Sequence, residues 1–141
     1  MPTIREALQE DWPRVRDFYQ RTRYSSPIET SDRVLIAEMH DGIVGAVRLC
    51  TEGGVQVLRG MPVLEGMRRQ HIGTALLHAS EDILGGAPCY CIPYDYLENF
   101  YGKAGFKKVP LQDVPPFIRE RLHEYERRGL KVIIMKRLNR K

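Results

Sequence analysis

Apolar positions along the chain recur with two periods, close to two and close to 3.6 residues, and the switches between them mark the elements. Thr3 to Leu8 reads as a first strand. A helix follows from Asp11, a favoured N-cap residue, with Pro13 in its first turn. Its apolar stripe is Val15, Phe18, Tyr19 and Thr22, at i, i+3, i+4 and i+7. Tyr24 to Asp32 is rich in turn formers and is expected to be a loop, a candidate substrate lid. A meander comes next. Val34 to His40 and Ile43 to Thr51 are strands joined by the hairpin signal Asp41-Gly42, and Gly53-Gly54 turns the chain into a third strand, Val55 to Val63. Gly60 and Pro62 interrupt that strand, and a proline there implies a bulge or an unpaired edge.

Ile72 to Leu84 is helical, with Ile72, Leu76, Ala79 and Ile83 on one face and Gly85-Gly86 as its stop. Cys89 to Pro93 is a short strand. Asp95 to Ala104 is a helix with Leu97, Phe100, Tyr101 and Ala104 on its apolar face. After Gly105, Phe106 to Val109 is extended. Pro115 opens an amphipathic helix with Ile118, Leu122 and Tyr125 inward, which ends at Gly129, and Leu130 to Leu138 is the last strand. Alternating helices and strands suggest an α/β layer architecture, and no repeat or linker divides residues 1–141 into more than one domain.

Composition narrows this little: hydrophobic residues are 43% and charged residues 28% of the chain, ordinary values for a globular domain. No apolar run approaches the roughly 20 residues of a membrane span, and the first residues lack a signal-peptide core, so a cytoplasmic protein is expected. The net charge of +4 is too small to choose among anionic partners. There is no single-sign basic stripe with stacking aromatics, so no nucleic-acid partner is expected, and no membrane partner. The mixed charges of the last helix, Arg119, Arg121, Arg127 and Arg128 with Glu120, Glu124 and Glu126, read as a solvated face. Cys50, Cys89 and Cys91 are expected to be reduced, with Cys89 and Cys91 on one strand face. Nothing completes a metal site around them, so no metal is expected.

The chemistry concentrates in Val63 to Leu77, V-L-E-G-M-R-R-Q-H-I-G-T-A-L-L, where a strand runs through a short loop into a helix. The amides of a helix's first turn have no internal partner and carry partial positive charge, so they attract phosphate. Gly73 lets a ligand approach the backbone, and Arg68 and Arg69 add charged donors. The alternative is an ordinary strand–loop–helix turn with two solvated arginines. Neither a Walker loop nor a dinucleotide fingerprint is present.

A second segment, Y-D-Y-L-E-N-F-Y-G-K-A-G-F-K-K-V from Tyr94 to Val109, decides between them. Together, R-R-Q-H-I-G-T-A-L-L and N-F-Y-G-K-A-G-F-K-K-V resemble the two signature segments of the GCN5-related N-acetyltransferase (GNAT) family: a pyrophosphate loop, and a helix ending in phenylalanine–tyrosine, three residues, glycine–phenylalanine. The two stand about 30 residues apart, and the order of elements resembles the family over nearly the whole chain. The resemblance implies a mixed, mostly antiparallel central sheet with helices on both faces and strands splayed at the cofactor slot. It implies acetyl-CoA as cosubstrate and direct attack by a primary amine in a ternary complex. Arg68 takes the leading motif position, His71 the first glycine position and Gly73 the second; a shifted frame, Gln70, Gly73 and Ala75, also fits. Arg68, Arg69, Gln70, His71, Ile72, Gly73 and Thr74 would then cradle the pyrophosphate, and Met61 and Val63 would offer backbone groups to the pantetheine and acetyl portions. Tyr94 falls where many relatives carry an asparagine near coenzyme A.

Tyr101 matches the family's tyrosine that serves the departing thiolate; by spacing alone it is an apolar-face aromatic. No carboxylate lies on Val55 to Val63, and Glu38 or His40 acting through water are the candidate bases. If Gly53-Gly54 is a two-residue turn, Arg48 and Arg59 face each other across the hairpin, and like charges so placed repel. An anionic group of the substrate would relieve this; the alternative is two guanidiniums splayed into solvent. The acceptor is expected to be a small-molecule or protein amine, and a homodimer stays open. The competing reading is a non-catalytic coenzyme A-binding sensor of the same fold.

Overall fold

The computed structural model describes residues 2–22, 28–29, 31–40 and 42–137, with residues 68–70 described by backbone only. The expected lid, Tyr24 to Asp32, therefore lies largely outside the described residues. Seven strands form one sheet in the order β1-β2-β3-β4-β5-β7-β6: β1 (Thr3–Glu6), β2 (Arg33–Met39), β3 (Gly42–Glu52), β4 (Val55–Arg59), β5 (Cys89–Cys91), β6 (Phe106–Lys108) and β7 (Met135–Arg137). Every neighbouring pair is antiparallel except β4 and β5. The helices are α1 (Trp12–Arg21), α2 (Ile72–Leu84), α3 (Glu98–Gly102) and α4 (Pro116–Arg127). None of the described helices is long and apolar enough to cross a membrane.

Strand alternation sorts the core onto two faces. Under α1, Val34, Ile36 and Ala46 meet Val15, Phe18 and Tyr19. On the same face, Val57, Tyr90 and Ile134 meet Ile118 and Leu122 of α4. The opposite face presents Leu35, Val47, Leu49, Leu58, Cys89 and Cys91 to Ile72, Leu76 and Leu77 of α2 and to Tyr101 of α3. Each such fully buried aliphatic or aromatic side chain contributes about 1.5–3 kcal/mol. Cys89 and Cys91 thus share a face, as their spacing requires, and all three cysteines are buried thiols. Gly45 of β3 lets α2 lie close to the sheet at its start: a Cβ there would stand 3.0 Å from Ile72 and 3.3 Å from Leu76.

The hairpin after β3 has the expected two-residue turn. Glu52 pairs with Val55, and Gly53 and Gly54 hold φ of 57° and 78°, the positive values that a type I′ turn needs. The earlier hairpin is displaced by one residue: Met39 pairs with Gly42, so Gly42 belongs to β3 and His40 to the turn, while Asp41 lies outside the described residues. Two further boundaries differ from expectation. The chain at Pro93 to Asp95 is tied to the final segment by Ile133 N–H to Pro93 C=O (3.0 Å) and Asp95 N–H to Lys131 C=O (2.9 Å), so the helix expected from Asp95 begins with a 3-10 turn and becomes α-helical only at Glu98. The same ties hold Leu130 to Ile134 to an isolated bridge at Val132, and laddered pairing starts only at Met135.

Candidate active site

The site is built by two strands that stop pairing. β4 and β5 share only two pairs, Gln56 with Cys89 and Val57 with Tyr90. Beyond them the strands part, and a cavity of about 440 Å³ opens between Leu58 to Met61 on one side and Cys91 to Tyr94 on the other. The cause is a bulge on β4. Arg59 pairs with Arg48, and the next bridge joins Val63 to Gly45, so this strand takes one more residue than β3 over the same span. Gly60 absorbs the bend with φ of 50°, and Pro62, which has no N–H, keeps only its carbonyl in the ladder, accepting from Ala46 at 3.0 Å. The Tyr19 hydroxyl donates to the Gly60 carbonyl at 2.8 Å and fastens the bulge to α1.

Because β4 alternates, the cavity has two unlike mouths. On the α2 side stands Tyr101, 7% exposed, its ring held edge-on by Phe100 (5.1 Å) and Phe106 (5.9 Å). The residues expected to hold pyrophosphate lie at the start of α2. Residues 68–70 close a 3-10 turn. His71 adopts the left-handed conformation, φ 60° and ψ 25°, alone among the non-glycine described residues. Such a conformation costs a non-glycine residue about 1–2 kcal/mol, which marks this as a position where glycine would sit without strain. Gly73, by contrast, is helical. Its lack of a Cβ first serves packing: a Cβ there would meet Phe100 at 3.1 Å and Met61 at 3.6 Å. An aromatic ring of α3 occupies the space on the Cβ side of Gly73. Ile72 turns its side chain into the core, and Thr74 is exposed. Met61 lines the cavity; Val63 lies past it, where pairing with β3 has resumed.

The other mouth, toward α1 and α4, is charged. Arg48 and Arg59 face each other in register, as the turn predicts. They are not splayed into solvent. Arg48 donates to Asp32 at 2.8 Å, and both side chains are about 95% buried or more, 3% and 5% exposed. That carboxylate balances the Arg48 charge, and Arg48 still lines the cavity. Arg121 of α4 grips Glu52 with two hydrogen bonds, at 2.5 and 3.2 Å, while Arg59 lies 3.9 Å from the same carboxylate. Burial pushes the Glu52 carboxyl upward, but the Arg121 hydrogen bonds and the charges of Arg121 and Arg59 outweigh it, and the net shift is down. Glu52 is therefore a poor base. Burial also raises the Cys50 and Cys89 thiols to about 12, and that of Cys91, which lines the cavity, well above its ordinary value.

The candidate bases do not reach the cavity. Glu38 accepts from Arg5 (2.8 Å) and Arg14 (3.0 Å) in an ion-pair cluster with Asp11, and His40 sits at the β2–β3 turn. Arg121 is a further correction: the helix face expected to be solvated delivers it to the cavity. Its signal was available, since Ile118, Arg121, Leu122 and Tyr125 are at i, i+3, i+4 and i+7, one stripe. No comparable signal exists for Asp32 or Glu52, which reach the site only through the folding of the sheet.

The sheet is forced open between two parallel strands, with the N-terminus of α2 at the Gly73 end of the site. A profile of the acetyltransferase (GNAT) domain matches residues 30–108, more than half of the chain, and the chain belongs to that family. No curated protein matched in a sequence comparison. Among solved structures, ElaA of Escherichia coli superposes with a TM-score of 0.70 at 17% identity, over 97% of this chain and 99% of that one. N-acetylglutamate synthase of Neisseria gonorrhoeae, complexed with coenzyme A and N-acetyl-glutamate, gives 0.72 at 16% identity, over 100% of this chain and 36% of that one. The ribosomal-protein-S18-alanine N-acetyltransferase of Escherichia coli gives 0.68 at 17% identity, over 99% and 94%. These likenesses are of fold.

Proposed function

We propose that this protein is an N-acetyltransferase that binds acetyl-CoA and a primary amine together and lets the amine attack the thioester directly. The observation that carries the reading is the gap between β4 and β5, which opens beside Tyr101 after two paired positions. Structural neighbours of the same fold hold coenzyme A, among them the Neisseria enzyme.

The residues present fit that cosubstrate. The first-turn amides of α2, at Ile72, Gly73 and Thr74, have no intrahelical acceptor, and Ile72 and Thr74 keep their side chains out of the approach, one in the core and one in solvent. His71, held where a glycine would be unstrained, favours the frame led by Arg68 over the one led by Gln70. Met61 presents its backbone at the bulge. Acetyl-CoA supplies an acyl group already activated as a thioester. The chain's own part is to hold that group in the gap, keep water out with Leu58, Cys91 and Leu97, and place the Tyr101 hydroxyl as donor to the departing sulfur. A phenol near pKa 10 gives its proton uphill to a thiolate near 8.5, by about 2 kcal/mol, so Tyr101 stabilises the leaving group rather than protonating it early. Glu52, with its carboxyl held down by Arg121 and Arg59, is a poor base for the amine, so the reading favours an acceptor whose amine loses its proton readily or through water.

A melting scan tests the donor half. Acetyl-CoA at about 100 times its Kd adds about 2.7 kcal/mol of stability, and no shift refutes the reading. Release of free thiol with an amine panel tests the transfer half; stabilisation with no turnover on any amine points instead to a coenzyme A sensor.

A further inference from the structure

The charges at the α1 and α4 mouth do not cancel. Arg48, Arg59 and Arg121 line the cavity there, against two carboxylates, Asp32 and Glu52. Asp32 is matched to Arg48, and Glu52 is held mainly by Arg121. Among the described residues, the ion pair of Arg59 is only the long one to Glu52, at 3.9 Å. Its side chain is 23% exposed, so its charge is partly withdrawn from water in a concave site where screening is weak. It also lies directly across the sheet from Arg48, at the Cα separation of about 4.5–5.5 Å that neighbouring strands impose. Counted over the described residues, an excess of one positive charge is thus held at the side of the gap opposite Tyr101.

From this we propose that the acceptor is a small amine that also carries a carboxylate, an amino acid or a close analogue, and that Arg59 binds the carboxylate. The proposal rests on the acetyl-transfer reading above. A single net charge matches a monoanion. A phosphate monoester, at about −1.5 to −2 near pH 7, would leave negative charge unmatched beside Glu52 and Asp32. The planar guanidinium takes a carboxylate with two parallel hydrogen bonds. The same cationic mouth disfavours the protonated amine, which helps a substrate lose its proton.

The test uses the purified full chain, first shown by a melting shift to bind acetyl-CoA. L-amino acids are compared with the matching amino-acid amides, by thiol release and by calorimetric titration of the coenzyme A complex. The carboxylates are expected to be preferred roughly 10- to 100-fold in kcat/KM and to bind where the amides do not. Arg59→Gln removes that preference through KM, Arg59→Lys restores part of it, and both leave KM for acetyl-CoA within about twofold. Amides used or bound as well as the acids, or an unchanged preference in Arg59→Gln, overturns the proposal while leaving acetyl transfer intact. Binding of neither class to the coenzyme A complex also overturns it. A chain that does not bind acetyl-CoA at all overturns the transferase reading instead.

Discussion

Replacing Tyr101 with phenylalanine separates its chemistry from its packing. The ring is buried between Phe100 and Phe106, and the substitution keeps both edge contacts. What goes is the hydroxyl, about 0.5–1.5 kcal/mol of stability if it is hydrogen-bonded in the resting protein. Truncation to alanine would cost about 3–5 kcal/mol and confound the result. In turnover, a donor aimed at a developing thiolate contributes roughly 10- to 1000-fold, or about 1.4–4 kcal/mol of barrier. Tyr101→Phe should therefore lower kcat by that factor, while KM for acetyl-CoA and Tm change little. The assay is free-thiol release at saturating acceptor, with a melting scan of the same preparations. A kcat within twofold of the parent, with Tm preserved, would show that the hydroxyl takes no part and that the aromatic stripe is simply core.

Two further outcomes follow from buried groups. The thiols of Cys50, Cys89 and Cys91 should resist Ellman's reagent at pH 8 in the folded protein and react, all three, in denaturant, because burial keeps them protonated; rapid reaction in native buffer would contradict this. Hydrogen bonds from Arg5, joined by those from Leu8 N–H and Arg14, hold the Asp11 carboxyl well below its ordinary range, and Arg5 does the same for Glu38. Carboxyls with lowered folded pKa stabilise the fold above their unfolded pKa, near 4, and lose that contribution as pH falls through the folded value. Asp11→Asn should cost about 1–3 kcal/mol at pH 7, and its Tm should fall less steeply than the parent's between pH 4 and 2; parallel acid curves would remove Asp11 from the account.

Periodicity made the sheet and the larger helices legible because burial on one face leaves its mark at every second or every third and fourth residue. Ile72 to Leu84 was read to the residue, and Gly60 with Pro62 announced the bulge. Gly53-Gly54 fixed the register that sets Arg48 against Arg59. What escaped was long-range. Asp32 lies 16 residues from Arg48, and Glu52 lies 69 residues from Arg121, and no local pattern reports such pairings. The ends of α3 and β7 were misjudged for a related reason: hydrogen bonds between Pro93 to Asp95 and Lys131 to Ile133 override local preference.

The two mouths of the cavity are the work of different parts of the chain. One is made by the segment from Leu64 through α3 and carries the start of α2 and the Tyr101 ring. The other is made by α1, α4 and the turn side of the first hairpins, and holds the salt-bridged arginines. On the proposed reading, substitutions at Arg59, Arg121 or Tyr125 would retune which amine is accepted and leave the acyl-donor side untouched. Such a division would let one scaffold change its acceptor through a few side chains while the other face of the sheet stays as it is.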